Sequence, residues 1–351
     1  MSAASIATTA ASPGSKRPKV DGGIVTHNGT FHADEALAVH LLRKLPEFAK
    51  LPLTRTRDSE TINAAAVVVD VGAEYDVERQ RYDHHQRDFG EVFDDEHKTK
   101  LSSAGLVWKH YGRDILGVHL SLPVEDARVV LLHRKLYDDF IEAIDGIDNG
   151  IEQYGSATPA YQSRTDLSSR VSYLNPAWNQ SASPTDYDAR FEKASSLAGT
   201  EFFDRVDYAF RAWLPARQVV VDALKVRRDK SGDEQGRIIV FDKPATWKSH
   251  LFDIEGTDES FGAAKGDVIY VVYEDESGHW RVQAVPSSSN SFNLRKALPE
   301  QWRGVRDAEL DELLSQHGIP EGAIFVHAAG FIGGHATREG ALLMARNALA
   351  L

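Results

Sequence analysis

The chain has 351 residues, 42% of them hydrophobic and 26% charged, with 26 Gly and 13 Pro. That length is enough for two domains with cores of their own, and the composition excludes collagen, coiled coil and global disorder. There is no cysteine and the net charge is -12, which excludes disulfide scaffolds, thiolate metal sites and a bulk electrostatic grip on nucleic acid.

Residues 1–22 are rich in Ala, Ser, Thr and Pro and read as a disordered leader, with Lys16-Arg17-Pro18-Lys19 as a nuclear import signal. Ordered structure is expected from Gly23. Ile24-Val25 reads as a short strand entering the turn His27-Asn28-Gly29, and Asp34 to Leu45 has helical apolar spacing. Leu53 to Arg57 reads as a strand. Ala64 to Val71 is a continuous, β-branched apolar run, the signature of a buried parallel strand. Ser102 to Tyr111 and Val124 to Ile147 read as helices, and this alternation predicts α/β architecture with a parallel sheet. Residues 186–232 form a helical connector interrupted at Pro215. From 233 the texture is α+β, with strands at 237–241, 268–273, 280–285 and 323–327 and helices at 309–316 and 337–349. The domains are therefore expected at 23–185 and 233–351. No apolar run approaches the roughly 20 residues that span a bilayer.

Four places put imidazoles and carboxylates where elements end: His27-x4-His32-x-Asp34, Asp70, Asp83-His84-His85, and Asp145 with Asp148. Asp34 also suits the first turn of a helix, as a carboxylate near the free N–H groups. Asp70 closes a Val-Val-Val run, and strand carboxyl ends are where ligands bind in open α/β sheets. Asp83 beside two histidines can orient an imidazole. This set of N and O donors without thiolates suits a divalent cation, Mn²⁺ first, with Mg²⁺, Co²⁺ or Zn²⁺ as alternatives, and has enough ligands for two ions.

Asp83-His84-His85, preceded by an Asp after an apolar strand and followed by an Asp before Gly, resembles the motif order of the DHH phosphoesterase superfamily. Within it, the stretches THNGTFHADEALA (26–38), VVVDVG (67–72), YDHHQRDFGE (82–91), AIDGIDNGI (143–151) and HAAGFIGGHATREGALLMA (327–345) resemble the Myg one (melanocyte-proliferating-gene-one) exonuclease family from about Gly23 to the C-terminus. The resemblance implies a parallel-sheet DHH-type catalytic domain and a smaller α+β substrate domain with the active site in the cleft between them. It implies metal ligands at His27, His32, Asp34, Asp70, His84 and Asp148, the last chosen over Asp145 because Asp148-Asn149-Gly150 matches the superfamily's Asp-Thr-Gly. Asp83 would orient His84, and His85 would donate to the phosphate. Gly333, Gly334, His335 and Arg338 would hold the substrate, in keeping with a glycine turn that lets backbone N–H groups approach an anion. His32 stands where many superfamily members have Asp.

The implied activity is 3′-to-5′ hydrolysis of single-stranded RNA or short oligonucleotides by a metal-activated water; the expected location is intracellular, in the nucleus, the mitochondrion or both, with the cytoplasm as the alternative, and no membrane partner is expected. Trp178, Trp247, Trp280, Trp302 and Phe331 are candidate stacking platforms, and Arg295, Lys296, Arg303 and Arg306 a candidate basic track. The competing readings are a small-molecule phosphatase or pyrophosphatase, a non-catalytic regulatory protein with a structural metal, and a nucleic-acid-binding module. Oligomeric state has no signature in the sequence.

Overall fold

The computed structural model describes residues 22–155, 157–159, 161–289 and 291–351; the expected leader and its Lys16–Lys19 cluster lie outside them. Contacts divide the chain into one unit ending at Val206 and another from Asp207 to Leu351.

The first unit begins with β1 (Ile24–Thr26), α1 (Ala33–Leu42), β2 (Leu53–Arg55), α2 (Ser59–Ala64) and β3 (Val67–Val69). Two two-residue strands follow, β4 (Tyr75–Asp76) and β5 (Arg81–Tyr82). The sheet order is β2-β1-β3-β5-β4, parallel throughout except for the β4 edge. Strands β1 and β3 are wholly buried, as expected of parallel strands covered on both faces. The chain passes from β1 to β2 on one side and returns to β3 on the other. That reversal opens a crevice at the carboxyl ends of β1 and β3. Helix α1 is buried on almost every side, so it is an interior helix rather than an amphipathic one.

The helices α3 (Ser103–Leu120), α4 (Ala127–Leu136), α5 (Glu142–Asp148), α6 (Leu167–Ser172) and α7 (Pro184–Tyr208) complete this unit's set, α7 ending just beyond its boundary. The single helix expected over 124–147 is two helices joined by a π turn at Tyr137–Ile141. A second π turn, Ala209–Trp213, joins α7 to α8 (Leu214–Lys225). Pro215 therefore does not interrupt the connector. It occupies the first turn of α8, where its missing N–H is not needed.

After α9 (Arg227–Ser231) the second unit contains β6 (Ile238–Phe241), α10 (Lys248–Ile254), β7 (Tyr270–Glu274), β8 (Trp280–Ala284), α11 (Asp307–Ser315), β9 (Ala323–Val326), β10 (Ile332–His335) and α12 (Arg338–Ala350). Its sheet order is β6-β7-β8-β10-β9, with only β6 and β7 parallel. Alternation along β6 shows how both faces are covered. Ile238 and Val240 join a core with Leu310 and Leu314 of α11 and Met344 of α12. Ile239 and Phe241 join another with Val220 of α8 and Leu251 of α10. Among the described residues no helix is long and apolar enough to cross a membrane.

Candidate metal centre

Three adjacent parallel strands each release a polar residue from their last position: His27 follows β1, Asp70 follows β3 and Asp83 follows β5. Helix α1 adds Asp34, and the end of α5 adds Asp148. His27 Nε2 lies 3.3 Å from Asp70 Oδ2, and His84 Nε2 lies 3.2 Å from both Asp70 Oδ1 and Asp148 Oδ2. Three groups of donors result, each with ligand atoms within 4.8 Å of one another: His27, His32, Glu35 and Asp70; Asp70, Asp83, His84 and His85; His32, Asp34 and Asp148. They share Asp70 and His32, so they form one continuous cluster. It lines an open cavity of about 1410 Å³.

The cluster could hold a cation. Asp34 Oδ1, Asp70 Oδ1 and His84 Nε2 are buried and make no directed hydrogen bond, although such groups are almost always satisfied in native proteins. Burial, then the carboxylates of Asp70, Asp148 and Glu35, push the Asp34 carboxyl well above its usual range. Burial would lower the His27 and His84 imidazoles, but carboxylates reverse this: Asp70 and Glu35 bring His27 to about 10, and Asp148 and Asp70 bring His84 to about 10. Burial alone would raise Asp70, yet His27 and His84 hold it below its ordinary value. The shifts share one cause, carboxylates crowded together, which favours positive charge on the imidazoles or on a bound cation. A divalent cation with mixed N and O ligands would supply that charge.

Local structure explains the precision of the cluster. Asp70 sits at φ 57, a left-handed conformation that Asp tolerates better than most residues. Asp83 then ties the two neighbouring turns together. It accepts from Ala73 N at 2.6 Å, His84 N at 2.8 Å and His85 N at 3.2 Å. Asp83 does not orient the His84 ring as expected. The ring it holds is His85, through Nδ1 at 2.7 Å, while His84 Nδ1 faces Asn149 Oδ1 at 3.3 Å. Asp34 lies in the first turn of α1 as expected, behind the N-cap His32, but it is buried and accepts from Ser103 Oγ at 2.7 Å. His85 lies beside the cluster with its side chain largely exposed.

Asp145 and Asp148 separate completely. Asp145 is buried and accepts from Ser102 N, Ser102 Oγ, Gly105 N and Tyr137 Oη, which fixes the start of α3. Asp148 faces the metal cluster. Three further residues were not singled out in the sequence. Glu35 is fully buried, lies 3.1 Å from His27 Nε2 and accepts from His32 N. Its spacing from His32 is that of a capping box, the one signal that could have exposed it. Arg55 donates to Gly29 O at 2.7 Å, and Asn175 bonds both sides of Phe31, accepting from its N at 3.0 Å and donating to its O at 2.9 Å. Together they hold the loop between His27 and His32.

A family described as Uncharacterised protein family (UPF0160), with the short name MYG1 exonuclease, matches residues 23–349. The chain belongs to the MYG1 exonuclease family. A MYG1 protein of Dictyostelium discoideum is 48% identical over 323 residues, 92% of this chain and 94% of that protein. The MYG1 exonuclease of Bos taurus is 47% identical over 347 residues (96% and 88%), and that of Homo sapiens 47% over 333 (93% and 85%). No solved structure matches.

This MYG1 family member places Gly333, Gly334 and His335 in strand β10, not in a turn. Neither glycine has positive φ. A Cβ on Gly334 would lie 2.1 Å from Arg281 Nη1, and one on Gly333 would crowd Val326 and Leu298. The glycines therefore admit neighbouring side chains. His335 is completely buried; Nε2 meets Pro320 O at 3.1 Å, and Nδ1 accepts from Thr337 N at 3.0 Å. Both nitrogens are thus engaged within the unit. The Arg338 guanidinium lies over Trp280. Three members of the expected basic track are taken up by contacts within the unit: Arg295 pairs with Glu255, and Lys296 and Arg303 donate to carbonyls; Arg306 stays exposed, paired with the equally exposed Asp307. Of the expected stacking residues, Trp247 and Trp302 are core, whereas Trp178 is almost fully exposed.

Proposed function

We propose that the protein is a divalent-cation-dependent phosphodiester hydrolase of the DHH phosphoesterase superfamily, acting as a 3′-to-5′ exoribonuclease on single-stranded RNA. The hydrolase reading rests on the three buried, incompletely bonded atoms Asp34 Oδ1, Asp70 Oδ1 and His84 Nε2 at adjoining strand and helix ends. The name carried by the mammalian relatives supports exonuclease action. RNA and polarity rest on the resemblance of the five motifs alone. A nuclear or mitochondrial address belongs to the same proposal, and Lys16-Arg17-Pro18-Lys19 supports the nuclear one.

His27, His32, Asp34, Asp70, His84 and Asp148 would hold one or two cations, Mn²⁺ before Mg²⁺, Co²⁺ or Zn²⁺, with Glu35 added by its position. Bound there, a cation would acidify a water and neutralise phosphate charge. The chain supplies the rest. Asp83 accepts from His85 Nδ1, which leaves Nε2 facing outward; only with both nitrogens protonated would that ring deliver the Nε2 proton to a phosphate oxygen or to the departing sugar oxygen. Asp83 is thus a positioning residue, and His85 the group offered to substrate. Arg55 and Asn175 keep the His27–His32 loop in place. Gly333, Gly334, His335 and Arg338 are retained as the proposed substrate end; its exposed donor is the Arg338 guanidinium.

The test is hydrolysis of 5′-labelled single-stranded RNA by chelator-stripped protein restored with each of the four metals. A ladder shortening from the 3′ end, lost in Asp70→Asn, is expected. Cleavage of pyrophosphate or mononucleotides alone would replace this reading with the small-molecule one.

A further inference from the structure

Several surface arginines of this acidic chain are neutralised by a neighbour: Arg43 by Glu192, Arg79 by Glu74, Arg134 by Glu96 and Arg170 by Glu201. Among the described residues Arg87, Arg113 and Arg205 are exposed without such a neighbour, and so are Arg57 and Arg164, which differ in where they sit. Both are exposed, both line the metal cavity, and neither has an ion pair or hydrogen bond among the described residues. Two unpaired guanidiniums beside a carboxylate cluster make a local exception to the net charge of -12. A planar, always-charged donor is suited to phosphate oxygens.

The same cavity is lined by Tyr173, whose residue is 71% exposed. An exposed ring at a cavity wall offers a flat apolar face to a base. Its segment is anchored, because Asn175, two residues on, bonds both sides of the Phe31 peptide in the His27–His32 loop. Tyr161 and Trp178 on the same segment are also strongly exposed. At about 1410 Å³, the cavity exceeds the roughly 300–1,000 Å³ usual for one small ligand.

We infer that Arg57, Arg164 and Tyr173 form a single-strand-binding wall of the metal cavity, the arginines taking backbone phosphates and the tyrosine stacking a base. This rests on the hydrolase reading above and narrows it: the wall selects an oligonucleotide over pyrophosphate or a free mononucleotide. It also places two unpaired cations at the site of a chain whose net charge is -12.

The experiment uses full-length protein and a fluorescent, hydrolysis-resistant phosphorothioate pentanucleotide, with binding read by anisotropy across salt concentrations. The double variant Arg57→Gln/Arg164→Gln should weaken binding at least tenfold. It should also flatten the log–log salt slope by about 1.4, two phosphates at about 0.7 each. With cleavable RNA its KM should rise more than its kcat falls. Arg128→Gln, which removes a surface charge paired with Asp126 elsewhere, should bind within twofold of wild type. Tyr173→Leu should weaken binding about fivefold or more, Tyr173→Phe should restore it, and an oligonucleotide abasic throughout should not distinguish Tyr173→Leu from wild type.

Unchanged affinity and salt slope in the double arginine variant, with wild type active on RNA, would overturn the wall and leave the hydrolase reading standing. Equal loss on normal and abasic strands would overturn the stacking role of Tyr173. Wild-type protein that neither binds nor cleaves any oligonucleotide under any of the four metals would remove the reading on which the wall rests.

Discussion

The central strand β3 of the first sheet is wholly buried and β8 at the centre of the second only partly so, and the two units also treat buried polar groups differently. In the second unit Glu255 is buried and meets Arg295 in a two-point pair, 2.7 Å at each oxygen. His335 is buried with a partner at each nitrogen. Arg281 Nη1 and Trp302 Nε1 of that unit also lack a bond among the described residues but belong to no acid–imidazole cluster, whereas around the carboxyl ends of the first sheet Asp34, Asp70 and His84 each keep such an atom within one continuous cluster of donors. A buried polar group whose partners are complete serves the fold. One left incomplete among other donors of its kind marks a place where something else binds.

Asp70→Asn tests the incomplete side of this comparison and carries the largest expected effect. Nuclease activity should fall to background and Mn²⁺ binding by calorimetry should disappear, while far-ultraviolet circular dichroism stays native. Asn is the right replacement because it keeps the size and tolerates the left-handed φ of 57. Native activity in a folded Asp70→Asn protein would mean that the cluster is not the catalytic centre.

Arg295→Met tests the complete side. It leaves the Glu255 carboxylate buried and unpaired, which should cost about 3–5 kcal/mol of stability. Urea unfolding should show the loss, with activity per folded molecule unchanged. A variant as stable as wild type would show that complete pairing is not what holds that part of the sheet.

These contrasts define what the sequence could disclose. The runs ending at Thr26 and Val69 are β-branched or apolar and stop at a polar residue, so β1, β3 and the ends carrying His27 and Asp70 were legible. Strands β4 and β5, two residues each, have no period to read, and the six-residue helices α2 and α6 are scarcely longer than a turn. The π turns are invisible to a 3.6-residue pattern because the extra residue is absorbed locally. Asp145 and Asp148 share one motif and, three apart, could have faced one way; only the packing of α3 against Asp145 separates them. Glu35 was hidden behind an ordinary capping spacing. Asn175 reaches Phe31 across 144 positions, a pairing that no local pattern encodes.

The comparison can be sharpened within one unit and one residue type. Burial lowers the His133 imidazole to about 4, against the lesser opposing effect of Trp108 O, which lies 2.9 Å from Nε2. His84 moves the other way, to about 10. The depressed pKa of His133 means that the unfolded chain takes up a proton first as pH falls. Its contribution is complete above about 6.5 and is lost between 6.5 and 4, by at most about 3 kcal/mol. His84 contributes in the opposite sense, fully present below 6.5 and lost as pH rises through about 10. Urea midpoints from pH 7 to 4.5 should therefore fall more steeply for wild type than for His133→Leu. Parallel curves would mean that His133 is not held neutral by its surroundings.

The smallest expected change bears most directly on why the first sheet leaves its polar groups incomplete. Asp34 is buried, and the neighbouring carboxylates of Asp70, Asp148 and Glu35 add to the burial in raising its pKa. Asp34→Asn keeps the shape and an oxygen for the Ser103 hydroxyl, but removes the like charge. Without added metal this variant should be more stable than wild type by about 1–2 kcal/mol. With saturating Mn²⁺ the order should reverse, because ligand binding to the folded state stabilises wild type by about 2.7 kcal/mol at a hundred times Kd, whereas the variant has lost a carboxylate ligand. Thermal melts of both proteins, with and without metal, read all four values. An Asp34→Asn protein less stable than wild type in the absence of metal would show that Asp34 belongs with Asp145 as a structural anchor; crossing of the two orders would show that its strain exists for the cation.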